Sequence, residues 1–92
     1  MKKPSLLQLQ AFLAVARLGS FHAAARELNV TQPSISLRIK ELEALMGTRL
    51  LERKSRRVEP TLDGVIAVRY AEQALGLLDE LQTRLSTGDP LQ

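Results

Sequence analysis

The chain has 92 residues, 45% of them apolar, with a formal net charge of +3, one histidine and no cysteine. That length buries one small core, and the missing cysteines with the lone His22 exclude disulfide frameworks, thiol chemistry and cysteine or multi-histidine zinc sites. No charge-free apolar run approaches ~18 residues, and MKKPS leads into an amphipathic pattern without a small-residue cleavage site, so neither a membrane span nor a signal peptide is expected.

Ser5 followed by Gln8 is a capping box with Pro4 just outside, which predicts a first helix over residues 6–18. Its apolar positions Leu6, Leu9, Phe12, Leu13 and Ala16 recur at the three and four spacing of one core stripe, and Gly19 supplies the stop. Ser20 caps a second helix. Phe21 and Leu28 are expected to meet the first stripe, and the small triplet Ala23, Ala24 and Ala25 lets a neighbouring helix come close. Asn29, tolerant of the left-handed conformation, closes this helix, and Val30 plugs the turn.

Thr31 is the N-cap of a third helix and Pro33 lies in its first turn, where a missing N–H costs nothing. Two short helices joined by a turn of about three or four residues form a helix-turn-helix. At ~100° per residue, Ile35, Ile39, Leu42 and Met46 share one apolar stripe, while Pro33, Ser36, Leu37 and Lys40 point the other way. The start of this helix is therefore free to enter a DNA groove. Gln32, Ser34 and Ser36 offer donors and acceptors suited to base edges or phosphates, and the unpaired N–H groups of a helix start favour an anion.

Gly47 stops the third helix. Leu50, Leu51, Glu52 and Arg53 then predict a short extended run, KSRR a turn, and Val58 to Pro60 the return, which together read as a small β-hairpin or wing. Residues 1–60 carry eleven Lys or Arg against five acids, whereas residues 61–92 carry two against five. Basic charge is thus concentrated around the helix-turn-helix, and most densely at Arg53, Lys54, Arg56 and Arg57. Such a cluster supplies the salt-dependent, sequence-independent part of nucleic-acid affinity.

Thr61 caps a last helix with Asp63 near its positive end, running to about residue 86, or ~39 Å at 1.5 Å per residue. Gly64 and Gly76 weaken it locally. Leu62, Ile66, Tyr70, Ala74, Leu77, Leu81 and Leu85 form one apolar line, and Val65, Val68, Ala71, Leu75 and Leu78 a second beside it. Three short helices cannot cover so long a stripe, which predicts a partner helix, most simply the same helix of a second copy. The competing reading is a helix folded back on its own core.

The segments LQAFLAVARLGSFHAAARELNVTQPSIS, RIKELEALMGTRLLER and VEPTLDG, in this order and spacing, resemble the N-terminal DNA-binding domain and linker helix of LysR-type transcriptional regulators. The resemblance covers residues 4 to 88. It implies a mainly α fold, a winged helix-turn-helix of three helices plus a small β-hairpin wing, followed by a long dimerisation helix. Residues 4–60 would be the DNA-binding domain, with the helix-turn-helix at 21–40 and the wing at 50–60. Residues 61–87 would be the dimerisation helix, and 88–92 the start of a hinge.

By the same resemblance, Thr31 and Ser34 would touch phosphates, and Gln32, Pro33, Ser36 and Leu37 would face the major groove. Lys40, Arg53, Arg56 and Arg57 would complete the contact with double-stranded DNA, Arg53 and the basic wing reaching backbone or minor groove. Leu62, Ile66, Tyr70, Ala74, Leu77, Leu81 and Leu85 would pair with a second copy, so that a homodimer regulates transcription at an inverted repeat in the bacterial cytoplasm, on the nucleoid. Full-length members continue into a two-lobed domain that binds a small-molecule effector, and the resemblance implies a tetramer for the whole protein. On this reading the 92 residues are a fragment without that domain and without a cofactor.

Three positions depart from the family pattern. Leu37 stands where many members have Arg or another polar residue, and Arg38 where Gln or His is more usual; Leu37 offers only an apolar contact, for instance with a thymine methyl. His22 stands where Thr or Ser is common. A winged helix used only for protein interaction would leave the basic wing idle. An enzyme finds no support in the residues, which offer no metal-ligand cluster, no phosphate-cradling Gly loop and no nucleophile paired with a base.

Overall fold

Each of the first three helices starts at a hydroxyl and stops at a left-handed residue. The computed structural model describes residues 2–86, with α1 Leu6–Leu18, α2 Phe21–Leu28, α3 Gln32–Met46, β1 Leu51–Lys54, β2 Arg57–Pro60 and α4 Leu62–Ser86. Ser5 Oγ accepts the Gln8 N–H at 3.1 Å while Ser5 N–H donates to Gln8 Oε1 at 3.0 Å, completing the expected capping box. Ser20 Oγ accepts from Ala23 N–H at 3.0 Å, and Thr31 Oγ1 from Ser34 N–H at 3.2 Å. The stops are Gly19, Asn29 and Gly47, at φ of 72°, 59° and 74°. The stretch 88–92, expected as a hinge, lies outside the described residues.

The core gathers Phe12 and Val15 of α1, Ala24 and Ala25 of α2, Ile35, Ile39 and Leu42 of α3, and Leu50, Leu51 and Val58 of the hairpin region. Each large side chain removed from water here contributes on the order of 1.5–3 kcal/mol. Phe21 and Leu28 pack against this cluster as expected, and Val30, read as the plug of the turn, packs with them. The expected stripe of α1 needs correction: its buried residues are Ala11, Phe12, Ala14 and Val15, Leu9 and Ala16 are only partly covered, and Leu6 is exposed. The cause is that α2, α3, α4 and β2 all pack on α1, so burial extends around the helix instead of following one line. Met46, placed in the α3 core stripe, is likewise exposed at the end of its helix.

The hairpin pairs Leu51 with Pro60, Glu52 with Glu59, Arg53 with Val58 and Lys54 with Arg57. The chain reverses through Ser55 and Arg56, Ser55 adopting φ of 52°. The turn is thus tighter than the four-residue KSRR reading, because Lys54 and Arg57 close the ladder as its last pair. Leu51 and Val58 are buried on the inner face. Val58 N–H donates to Gly19 O at 3.0 Å, which ties the second strand to the corner between α1 and α2.

The start of α4 is locked onto the loop before β1. Thr61 N–H donates to Leu50 O at 3.0 Å, Thr61 Oγ1 donates to Arg49 O at 2.7 Å and accepts from Gly64 N–H at 3.0 Å, and Thr48 Oγ1 donates to Asp63 Oδ2 at 2.7 Å. A Cβ on Gly64 would lie 2.0 Å from Leu50 O, so this glycine is the residue that lets the helix seat. Val68 and Ala71, from the second apolar line, face the body of the domain, but Val65 and Leu78 of that line are exposed. The fold-back reading holds only for the first half of the helix. Leu77, Leu81 and Leu85 extend beyond the body, at 67%, 52% and 62% exposure.

Candidate nucleic-acid interface

The start of α3 is buried on one side and bare on the other. Ile35 and Ile39 face the core, while Gln32, Pro33, Ser36, Leu37 and Lys40 are exposed. Ser34 is half-buried, and the Thr31 hydroxyl donates to its Oγ at 2.9 Å, so the two predicted phosphate contacts sit side by side on the helix cap. Leu37, 55% exposed, is an uncovered apolar side chain on a polar surface. Thr31 and Pro33 hold this helix end in shape, which keeps its free N–H groups pointing outward.

Arg53, Arg56 and Arg57 are all exposed on the hairpin. Among the described residues none of the three makes an ion pair, whereas Lys54 sits 3.8 Å from Glu52 and Arg49 3.9 Å from Glu43. Their positive charge is therefore uncompensated and open to an anionic partner. The guanidinium of Arg57 lies against Gly19, where an added Cβ would come within 2.7 Å of it.

Phe21 links Ser36 and Lys40 of α3 to Arg53 of the wing. Its ring lines a shallow groove with Ser36 and Lys40, and an adjoining groove with Arg53. Two residues central to this geometry escape sequence reasoning. Phe21 shows only a core-type signal, and Glu43, whose carboxylate accepts the Leu50 and Leu51 N–H groups, looks like an ordinary charged residue at the edge of a helix's apolar stripe. His22 is exposed on α2, away from any group of acids or histidines that could hold a metal among the described residues.

Leu62, Ile66, Tyr70, Leu77, Leu81 and Leu85 of the proposed dimer line are exposed, and Ala74 is half-buried. Ile66, Tyr70 and Ala74 border an apolar groove of about 750 Å³ with Pro4, Leu9 and Met46. No helix among the described residues is long and apolar enough to cross a membrane.

Residues 6–65 match the family model described as bacterial regulatory helix-turn-helix protein, lysR family. The HTH-type transcriptional regulator AlsR of Bacillus subtilis is 44% identical over 87 residues, which cover 91% of this chain and 29% of AlsR. A mutant of Corynebacterium glutamicum OxyR superposes with a TM-score of 0.91 at 29% identity, covering 97% of this chain and 29% of that one. The crystal structure of a BenM DBD and catB site 1 DNA complex superposes with a TM-score of 0.86 at 34% identity, covering 96% of this chain and 99% of that one. The chain spans under a third of the length of the curated relatives it matches. With the family model covering well over half of its residues, the chain belongs to the lysR family of bacterial regulatory helix-turn-helix proteins.

Proposed function

We propose that the chain is the DNA-reading, dimer-forming part of a bacterial transcription regulator. The exposed start of α3 enters the major groove, where Gln32, Pro33, Ser36 and Leu37 meet base edges and Thr31 and Ser34 meet phosphates. Lys40, Arg53, Arg56 and Arg57 add contacts to the backbone or minor groove. Residues 4–60 form the reading domain, and residues 61–87 pair with a second copy through Leu62, Ile66, Tyr70, Ala74, Leu77, Leu81 and Leu85. A two-fold dimer then offers two reader helices to an inverted repeat.

In the whole protein this part is joined to a domain that binds a small-molecule effector, and the assembly is a tetramer acting on DNA in the cytoplasm. The chain works by binding, with no catalytic residue and no metal. The observation that carries this reading is the bare start of α3, whose Ser36 and Lys40 share a groove with Phe21, beside a wing whose Arg53 lies over the same ring and whose arginines are free of ion pairs. A titration of duplex DNA by fluorescence anisotropy across salt concentrations tests it. Affinity falling steeply and linearly with the logarithm of salt supports the reading, and an affinity indifferent to salt contradicts it.

A further inference from the structure

We propose that Phe21 is a positioning residue for DNA binding: its ring holds the Arg53 guanidinium at the start of α2, so that the wing arginine meets nucleic acid already oriented. The inference rests on the reading of the chain as a DNA binder. Strand register sets the problem. Arg53 lies opposite Val58 and two residues from Leu51, on the inner face of the hairpin, where both of those neighbours are 3% exposed. A charged side chain on that face cannot follow them into the core without a partner. It leaves instead across the nearest surface, and the guanidinium carbon comes to rest 5.5 Å from the centroid of the Phe21 ring.

That contact suits a residue that must still bind something else. A guanidinium held over a ring by cation–π attraction makes no hydrogen bond there, so its N–H donors stay available to another partner. Among the described residues no hydrogen bond and no ion pair engages the Arg53 guanidinium, in contrast to the Lys54 ammonium, which sits 3.8 Å from Glu52. The ring itself is fixed. Phe21 follows the Ser20 cap and packs against the core on its other side. Val58 N–H on Gly19 O holds the hairpin to the same corner, where the Arg57 guanidinium also lies, so ring and wing share one support. Phe21 also borders Ser36 and Lys40, which makes it the joint between the reader helix and the wing.

A double-mutant cycle tests this, using a fluorescein-labelled DNA duplex of mixed sequence as the probe and the thermal midpoint as the check on folding. Phe21→Leu keeps apolar bulk and loses the π face, whereas Phe21→Tyr keeps both. Phe21→Leu is expected to weaken binding roughly threefold to tenfold when Arg53 is present. It should have no further effect when Arg53 is already Ala, and Phe21→Tyr should restore the affinity. Equal loss in both backgrounds overturns the proposal, as does no loss with Arg53 in place. A chain without salt-dependent affinity for any duplex removes the DNA reading first and this proposal with it. Proton NMR of the free chain gives an independent reading: an upfield ring-current shift of the Arg53 side-chain methylenes should vanish in Phe21→Leu and persist in Phe21→Tyr, and a shift unchanged in Phe21→Leu overturns the proposal.

Discussion

One carboxylate oxygen of Glu43 accepts the backbone N–H of Leu50 at 2.7 Å and also that of the next residue, Leu51, at 3.2 Å. A side chain at the edge of the α3 core stripe, one turn after Ile39, thus satisfies two donors where the wing begins, and ties the reader helix to the hairpin. Glu43→Ala leaves both half-buried donors without this acceptor and is expected to cost about 1–3 kcal/mol in urea unfolding. Glu43→Gln, which keeps an oxygen acceptor, should lose less. An alanine variant as stable as the unaltered chain would show that water replaces the carboxylate without loss.

Gly64 and Gly76 lie in the same helix and should respond to alanine in opposite ways. At Gly64 the new methyl would press on Leu50 O, only 2.0 Å away, and destabilise the chain by about 1–3 kcal/mol through overpacking. At Gly76 nothing lies within 4 Å, and the position is off both apolar lines. Alanine there should stabilise by roughly 0.5–1 kcal/mol through helix propensity alone. Thermal midpoints of the two variants decide the point, and a gain at both positions would mean that α4 is not seated on the Leu50 carbonyl.

This pair also shows where sequence reading stops. The helix borders were legible because their causes are local: Ser5 with Gln8, and Gly19, Asn29 and Gly47 in left-handed conformations, act within a turn of where they stand. Gly64 read as a weakness because the atom that requires it, Leu50 O, belongs to another element. The exposed face of α3 was legible from the opposing Ile35 and Ile39. The roles of Phe21 and Glu43 were not, since the hairpin atoms they hold come next to them only when the chain folds. The burial of α1 was misread for the same reason, because a helix packed on several sides shows no single stripe.

Base readout and backbone contact separate by their signatures. Gln32→Ala is expected to cost roughly 1–3 kcal/mol on a preferred site and to relax the preference at one base pair. Arg53→Ala should weaken all sequences alike and reduce the salt slope by about one unit. Binding titrations on preferred and scrambled duplexes check both, and equal losses for Gln32→Ala on the two DNAs would remove it from the base-reading set.

The far half of α4 should be needed for pairing and not for folding. Leu77 and Leu81 are 67% and 52% exposed, so Leu77→Glu with Leu81→Glu removes little that the monomer buries. Sedimentation equilibrium should show the variant as a monomer and the unaltered chain as a dimer, with far-UV circular dichroism of the first three helices retained. A variant that stays dimeric would move the interface elsewhere.

Selection of bound sequences from a random DNA pool is the most direct test of the central claim, that paired copies read DNA with the start of α3. The account predicts enrichment of an inverted repeat, its half-sites centred about one helical turn, or a multiple of it, apart. A pool that emerges unenriched, or enriched in a single site without two-fold symmetry, would contradict it.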